Sequence, residues 1–110
     1  MGAILRHFGV RYGYYNPRDY RQAIMADEVV DTFADVMGAL AGVLFAGPDE
    51  QAAMAEKYVG AARLFHGVIG KNMNAHKGSY AAGNTVTIAD FVMASYVGNY
   101  LTNPAFPISA

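Results

Sequence analysis

The apolar residues of this 110-residue chain recur every three or four positions, and this spacing constrains the fold more than any other feature. Such a period is typical of amphipathic α-helices, and no window alternates apolar and polar residues for long enough to make a convincing strand. The first and shortest predicted helix has the apolar residues Ile4, Leu5, Phe8 and Tyr12, and Gly13 can end it. We therefore predict an all-α fold, an antiparallel helical bundle.

Two long helices are predicted in the middle of the chain. The second helix begins where Asn16 precedes a proline and runs to about Phe45. The third begins with Pro48 at its first position, and a Gly-, Ser- and Ala-rich loop follows over 76–84. The predicted inner faces contain Ile24, Met25, Val29, Phe33, Val36, Met37, Leu40 and Leu44 in the second helix, and Ala55, Tyr58, Val59, Ala62, Phe65, Ile69 and Met73 in the third.

Charge and residue counts argue against several function classes. The chain has 8 Lys and Arg against 9 Asp and Glu, so no basic face is expected to bind nucleic acid. It has no cysteine and its three histidines share no ligand spacing, so no metal is predicted. The longest charge-free helical run, 36–48, is shorter than the about 20 apolar residues that span a membrane. Without a membrane span or a signal peptide, the default prediction is a cytoplasmic protein.

The chain is poor in charge for a small domain. Charged residues make up 15% of it and apolar residues 54%, whereas charged residues are about 25% of an ordinary soluble domain. A domain of this size has too little interior to bury that much apolar surface. We therefore expect a homodimer or a larger protein assembly.

The segment 83–91 carries the sharpest local signal. The Thr87 hydroxyl is placed to accept from the backbone N–H of Asp90, and the Asp90 carboxylate to accept from the N–H of Thr87. Val86 and Phe91 occupy the two positions of a hydrophobic staple. Together these features predict a well-defined helix start, with Thr87 and Asp90 as its structural cap, although a capping box alone also occurs in unrelated helical proteins.

Gly83 followed by Thr87-Ile88-Ala89-Asp90-Phe91 resembles the capping motif of the all-α C-terminal domain of cytosolic glutathione S-transferases. Two further segments match in the same order. Residues 3–9, Ala-Ile-Leu-Arg-His-Phe-Gly, resemble the last helix of the thioredoxin-like domain, and residues 105–107, Ala-Phe-Pro, resemble the segment before the final helices. The resemblance implies that residues 1–14 end the thioredoxin-like half and that residues 15–110 are an incomplete all-α C-terminal domain, truncated at both ends.

The resemblance implies a transferase that conjugates glutathione to a small hydrophobic electrophile. In this family the catalytic residue and a Gln-Ser pair that grips glutathione belong to the thioredoxin-like half, and Met1 stands where that Ser is expected. The expectation is therefore a segment that is inactive on its own and has no catalytic residue. Glutathione would bind as a substrate only together with the missing half.

The resemblance also implies a substrate site on the second helix. Asp35 matches an acidic residue that binds the γ-glutamyl amine of glutathione across the dimer. Gly38, Ala41 and Phe45 match positions that line the pocket for the hydrophobic co-substrate. From the sequence alone, Phe45 is equally well interpreted as an ordinary core or interface residue.

Arg6 and Asp27 match two residues that pair across the family's dimer interface. Val10 stands where some members have a second interface arginine, so the sequence departs from the family's pattern there. Asp27, Asp31 and Asp35 are four residues apart, and like charges at this spacing repel by a few tenths of a kcal/mol per pair. Their spacing fits a solvated acidic face as well as a surface that meets cations.

Two other hypotheses stay open at this point. The chain could be a non-catalytic module that serves as an interaction or structural subunit of a larger assembly, which its low charge and the uncharged segment 91–110 favour. It could also be an unrelated helical bundle that shares only the capping box.

Overall fold

The computed structural model describes residues 2–102, and this part of the chain is all-helical. Its elements are α1 (Gly2–Tyr12), α2 (Tyr20–Phe45), α3 (Gln51–His76), α4 (Ile88–Tyr96) and a π-helix (Val97–Leu101) that continues α4. No strand occurs within 2–102, where one isolated bridge pairs Tyr80 with Gly83. The predicted all-α class is confirmed. Met1 and the Ala-Phe-Pro motif at 105–107 lie outside the described residues.

The two long helices, α2 and α3, run antiparallel. Near the start of α2, Glu28 accepts a hydrogen bond of 3.0 Å from the Asn72 side-chain amide near the end of α3. Further along, the rings of Phe33 and Phe65 lie 5.8 Å apart. Residue numbers therefore fall along α3 as they rise along α2, as the predicted bundle requires.

The hydrophobic core lies between α2, α3 and α4. Its largest fully buried side chains are Val29, Val30 and Val36 of α2, Phe65 of α3, and Ile88 and Tyr96 of α4. The rings of Phe65 and Tyr96 meet edge to face, with centroids 5.1 Å apart and an interplanar angle of 84°. Aromatic pairs of this geometry contribute about 0.5–1.5 kcal/mol beyond their buried area.

The buried faces of α2 and α3 differ from the predicted sets. Ile24 and Leu44 of α2 are 57% and 50% exposed, and Val59 and Met73 of α3 are 44% and 36% exposed. The buried face of α2 instead includes Ala23, Ala26, Val30 and Val43. Helical spacing does not fix how a helix is rotated about its axis, so apolar residues at the flank of the predicted stripe can be exposed while residues one position away are buried.

The helix starts also differ from prediction. The Asn16 side chain accepts from Arg18 N over 3.0 Å and so stabilises a turn instead of capping a helix. The N-cap of α2 is Asp19, whose carboxylate accepts from Gln22 N over 3.3 Å. Residues 48–50 likewise form a turn, so α3 begins after Pro48, at Gln51.

The apolar stripe predicted for α1 faces outward. Ile4, Phe8 and Tyr12 are 65%, 50% and 60% exposed, and Leu5 is the one member of the set that packs against the core. The buried residue of α1 is Gly9. A Cβ added to Gly9 would lie only 2.7–2.8 Å from side-chain carbons of Tyr15 and Ile88. The backbone of α1 therefore lies in close contact with these two side chains.

Candidate functional site

The capping box of α4 is present. The Thr87 backbone N–H donates to Asp90 Oδ2 over 2.9 Å, and the Thr87 hydroxyl accepts from the first turn of the helix. The other Asp90 oxygen, Oδ1, accepts from Ala81 N over 2.9 Å, which ties the preceding loop to the cap. Thr87 is 1% exposed, so these bonds satisfy polar groups that water does not reach.

The first turn of α4 lies inside the bundle. Ile88 and Ala89 are 2% and 0% exposed, and the Ile88 N–H donates to Tyr14 O over 3.0 Å. Phe91, on the outer side of the same turn, is 48% exposed and meets the Tyr14 ring edge to face at 5.1 Å. The cap therefore positions an interior helix and holds the linker between α1 and α2 against it.

The loop before α4 is fixed by His76. Its Nδ1 accepts from Gly78 N over 2.8 Å, and its Nε2 lies 3.2 Å from Ala81 O. This arrangement requires the neutral tautomer with the proton on Nε2, because the carbonyl can only accept. A Cβ on Gly78 would clash with Gly83 O, so this tight loop needs glycine there. His76 thus has a structural role.

Arg6 of α1 binds two aspartates of α2. Its Nε lies 2.7 Å from Asp27 Oδ1 and its Nη2 lies 3.2 Å from Asp31 Oδ1. The Tyr15 hydroxyl donates to Asp27 Oδ2 over 2.9 Å, so both oxygens of that carboxylate are engaged. The hydrogen bond with Asp27 raises the pKa of the Arg6 guanidinium. Burial raises the pKa of the Tyr15 hydroxyl, and its bond to Asp27 raises that pKa further.

The ion pair between Arg6 and Asp27 is made within one chain. The sequence predicted a pair between these residues across a dimer interface. A bond from Arg6 to the Asp27 of a second copy would have to replace the internal one, and the dimer-interface role of both residues stays a prediction. Tyr15, which the sequence did not single out, belongs to the same cluster; its only signal was the group of tyrosines at 12, 14, 15 and 20.

The predicted substrate residues share one exposed strip of α2. Asp35, Gly38, Ala41 and Phe45 are all exposed, and their spacing of three or four residues places them on one side of the helix. A Cβ added to Gly38 would meet nothing within 4 Å, and Phe45 is 88% exposed. The strip runs for about 15 Å, since ten residues of helix rise about 1.5 Å each. It is an open surface with a carboxylate at one end and a phenyl ring at the other.

Two polar contacts between helices were not predicted. His66 Nε2 lies 3.1 Å from the Tyr96 hydroxyl, and burial raises the pKa of that hydroxyl to about 12. Asn72 is 3% exposed and donates to Glu28. Neither pair has a sequence signal, because the partners are 30 and 44 residues apart. Both give buried polar groups a partner and so serve packing.

A polar cleft of about 670 Å³ lies where the start of α2 meets the end of α3. Arg21, Met25 and Asn84 are among the residues that line it. Across it, Gln22 Nε2 donates to Thr85 Oγ1 over 2.9 Å, which joins α2 to the loop before α4. None of the substrate residues predicted on α2 belongs to this cleft.

Over residues 2–102, no cluster of three or more His, Cys, Asp or Glu side chains is arranged to hold a metal ion. None of the helices in the same range has the length and apolar character needed to cross a membrane. No protein-family model matches the chain, and no curated protein and no solved structure shows significant similarity to it. The resemblance to glutathione transferases therefore stays a hypothesis that depends on the motif residues.

Proposed function

We propose that this chain is the helical part of a glutathione transferase, in which the exposed strip of α2 forms one wall of the substrate site. The observation that carries the proposal is the shared face of Asp35 and Phe45, which lie on one exposed side of α2. The buried, capped start of α4 adds support, because it is the element on which the resemblance chiefly depends.

Each part of the strip fits one part of the proposed substrates. The Asp35 carboxylate complements the ammonium group of the γ-glutamyl unit, since charge-assisted hydrogen bonds are about twice as strong as neutral ones. Gly38 and Ala41 leave room beside the helix. The exposed ring of Phe45 offers an apolar surface to a hydrophobic electrophile.

The strip supplies binding and orientation in this proposal. Attack by the glutathione thiolate requires a group that lowers the thiol pKa, and we assign that role to no residue of the described chain. What α2 contributes is proximity, because it holds the two substrates along one face of a rigid helix.

The test uses the product of the longest reading frame that contains these 110 codons. We expect it to bind glutathione in isothermal titration calorimetry and to conjugate it to an aromatic halide. Asp35→Asn should weaken glutathione binding by about 10- to 100-fold, the range expected for a hydrogen bond to a charged group. Asp49→Asn, an exposed aspartate on the turn before α3, is the matched control and should leave the affinity unchanged.

Two results would contradict the proposal. One is a glutathione affinity that Asp35→Asn does not change while the melting temperature stays normal, which would remove Asp35 from the site. The other is a reading frame whose purified product neither binds glutathione nor conjugates it.

A second candidate is a non-catalytic module in a protein assembly. The observation that favours it is the set of large apolar side chains left exposed on α1 and α2, among them Ile4, Phe8, Tyr12, Ile24 and Leu44. Scattered exposed apolar residues are normal, but an outward stripe on a short helix is typical of a surface that meets another protein. This hypothesis predicts a stable assembly in light scattering together with no measurable glutathione binding.

A further inference from the structure

We propose that α1 is a latch, which opens as a unit from the bundle of α2, α3 and α4, and that Arg6 controls its opening. The two carboxylates that hold the latch are Asp27 and Asp31. This inference goes beyond the proposed function and is independent of it, because the latch needs no ligand.

Helix α1 is too short to be stable by itself. It has 11 residues, and isolated helices shorter than about 12–15 residues are marginal in water. Apolar burial adds little, since its apolar stripe of Ile4, Phe8 and Tyr12 is at least half exposed. Its stability therefore depends on a few contacts with the rest of the chain.

The apolar contacts of α1 are concentrated at Gly9 and Leu5. Gly9 lies against Tyr15 and Ile88, and Leu5 packs on the edge of the core. After α1 the chain turns at Gly13, whose φ of 85° is in the left-handed region. The next residue, Tyr14, accepts from Ile88 N and so fixes the linker to α4. The Gly9 carbonyl also accepts from Tyr14 N and Tyr15 N over 2.7 and 3.1 Å, so α1 leaves the bundle at Gly13 when these two bonds break while the bond from Ile88 N to Tyr14 O holds the linker in place.

The polar contacts that join α1 to α2 are ion pairs. Both ion pairs found within residues 2–102 belong to Arg6, and both join α1 to α2. One guanidinium spans two carboxylates that are one helical turn apart and repel each other when it leaves. The Arg6 and Asp27 side chains are 33% and 32% exposed, and that of Asp31 is 70% exposed, so dissolved salt reaches and screens the pairs.

Opening of the latch would uncover an apolar surface. Ile88 is 2% exposed in the closed state and lies directly under Gly9. The Leu5 side chain, partly buried when the latch is closed, would also reach water. The closed state is favoured at low ionic strength, and salt shifts the equilibrium towards the open one. The fold therefore contains a conformational device that responds to ionic strength.

The test is native-state hydrogen exchange of the 110-residue chain in about 0.05 M and about 1 M NaCl, between which the screening length falls to about 3 Å. Amides of residues 6–12 report on α1, and amides around Phe65 in α3 report on the core. We expect α1 to exchange at least about tenfold faster than α3. Added salt should speed exchange in α1 by about two- to tenfold relative to α3, the size expected for partly exposed ion pairs.

Two variants assign the salt effect to Arg6. Arg6→Met keeps an apolar stem and removes the charge, so α1 should exchange faster in low salt and lose its salt dependence. Arg63→Met is the matched control, since Arg63 is an exposed arginine of α3 without an ion pair in the described chain. Exchange of α1 at the same rate as α3 would overturn the proposal. So would a salt effect that persists in Arg6→Met, or one that is equally large in α1 and α3.

Discussion

The helices α1 and α4 contact each other, yet they are held in opposite ways. The start of α4 is buried, and its polar groups are satisfied by Thr87 and Asp90. By contrast, α1 turns most of its apolar residues outward and is held chiefly by Gly9, Leu5 and Arg6. The difference shows that the spacing of apolar residues identifies a helix but does not tell which face of that helix packs against the core. Where backbone N–H groups at a helix start must find hydrogen-bond partners in the interior, the sequence carries a specific cap.

The largest expected effect on stability comes from a substitution in the cap of α4. Asp90→Ala removes the acceptor of two buried backbone donors, Thr87 N and Ala81 N. Each unsatisfied donor costs about 1–3 kcal/mol, so we expect the free energy of unfolding to fall by about 2–6 kcal/mol in urea denaturation. Asp49→Ala, which removes an exposed carboxylate, should change it by less than about 0.5 kcal/mol. Equal effects of the two substitutions would show that the cap does not hold the interior together.

A second test concerns the contact between α1 and α4. Gly9→Ala places a methyl group against Tyr15 and Ile88, where there is no room, and should destabilise the chain by about 1–3 kcal/mol. Gly38→Ala adds the same group where nothing lies within 4 Å. It should stabilise the chain by up to about 1 kcal/mol through helix propensity. If both glycines respond with the same sign in thermal unfolding, Gly9 is not the packing residue of α1.

The smallest effect tests the hydroxyl half of the cap. Thr87→Ala should lower the free energy of unfolding by about 1 kcal/mol, because the first turn of α4 loses its side-chain acceptor. Thr87→Ser keeps the acceptor and should recover most of that loss. A melting temperature that is the same for all three proteins would mean that the hydroxyl makes no net contribution.

Features that depend on neighbours in sequence were predictable. The helix start at Thr87 follows from residues three apart, and the loop after α3 follows from its composition. The predicted start of α2 was wrong for a local reason. The Asn16 side chain accepts from Arg18 N, and Asp19 caps the helix instead. Side chains with two possible local partners make such boundaries ambiguous.

Features that depend on distant partners were less predictable. The resemblance predicted a pair between Arg6 and Asp27 across a dimer interface, which stays a prediction, whereas the pair that the two residues make within one chain was not predicted. The outward stripe of α1 was missed because a glycine, which no hydrophobic pattern counts, makes the closest contact. The residues of the strip from Asp35 to Phe45 were chosen from the resemblance; helical spacing accounts for their common side, whereas their exposure depends on how α2 is rotated in the bundle.

Hydrogen exchange at the cap tests the whole account most directly, since the fold, the resemblance and the proposed function all depend on an interior helix that begins at Thr87. We expect the amides of Thr87 and Ile88, bonded to Asp90 and to Tyr14, to exchange within about tenfold of the Phe65 amide in the core. Exchange of these two amides at the rate of an unstructured peptide, with Phe65 still protected, would contradict it.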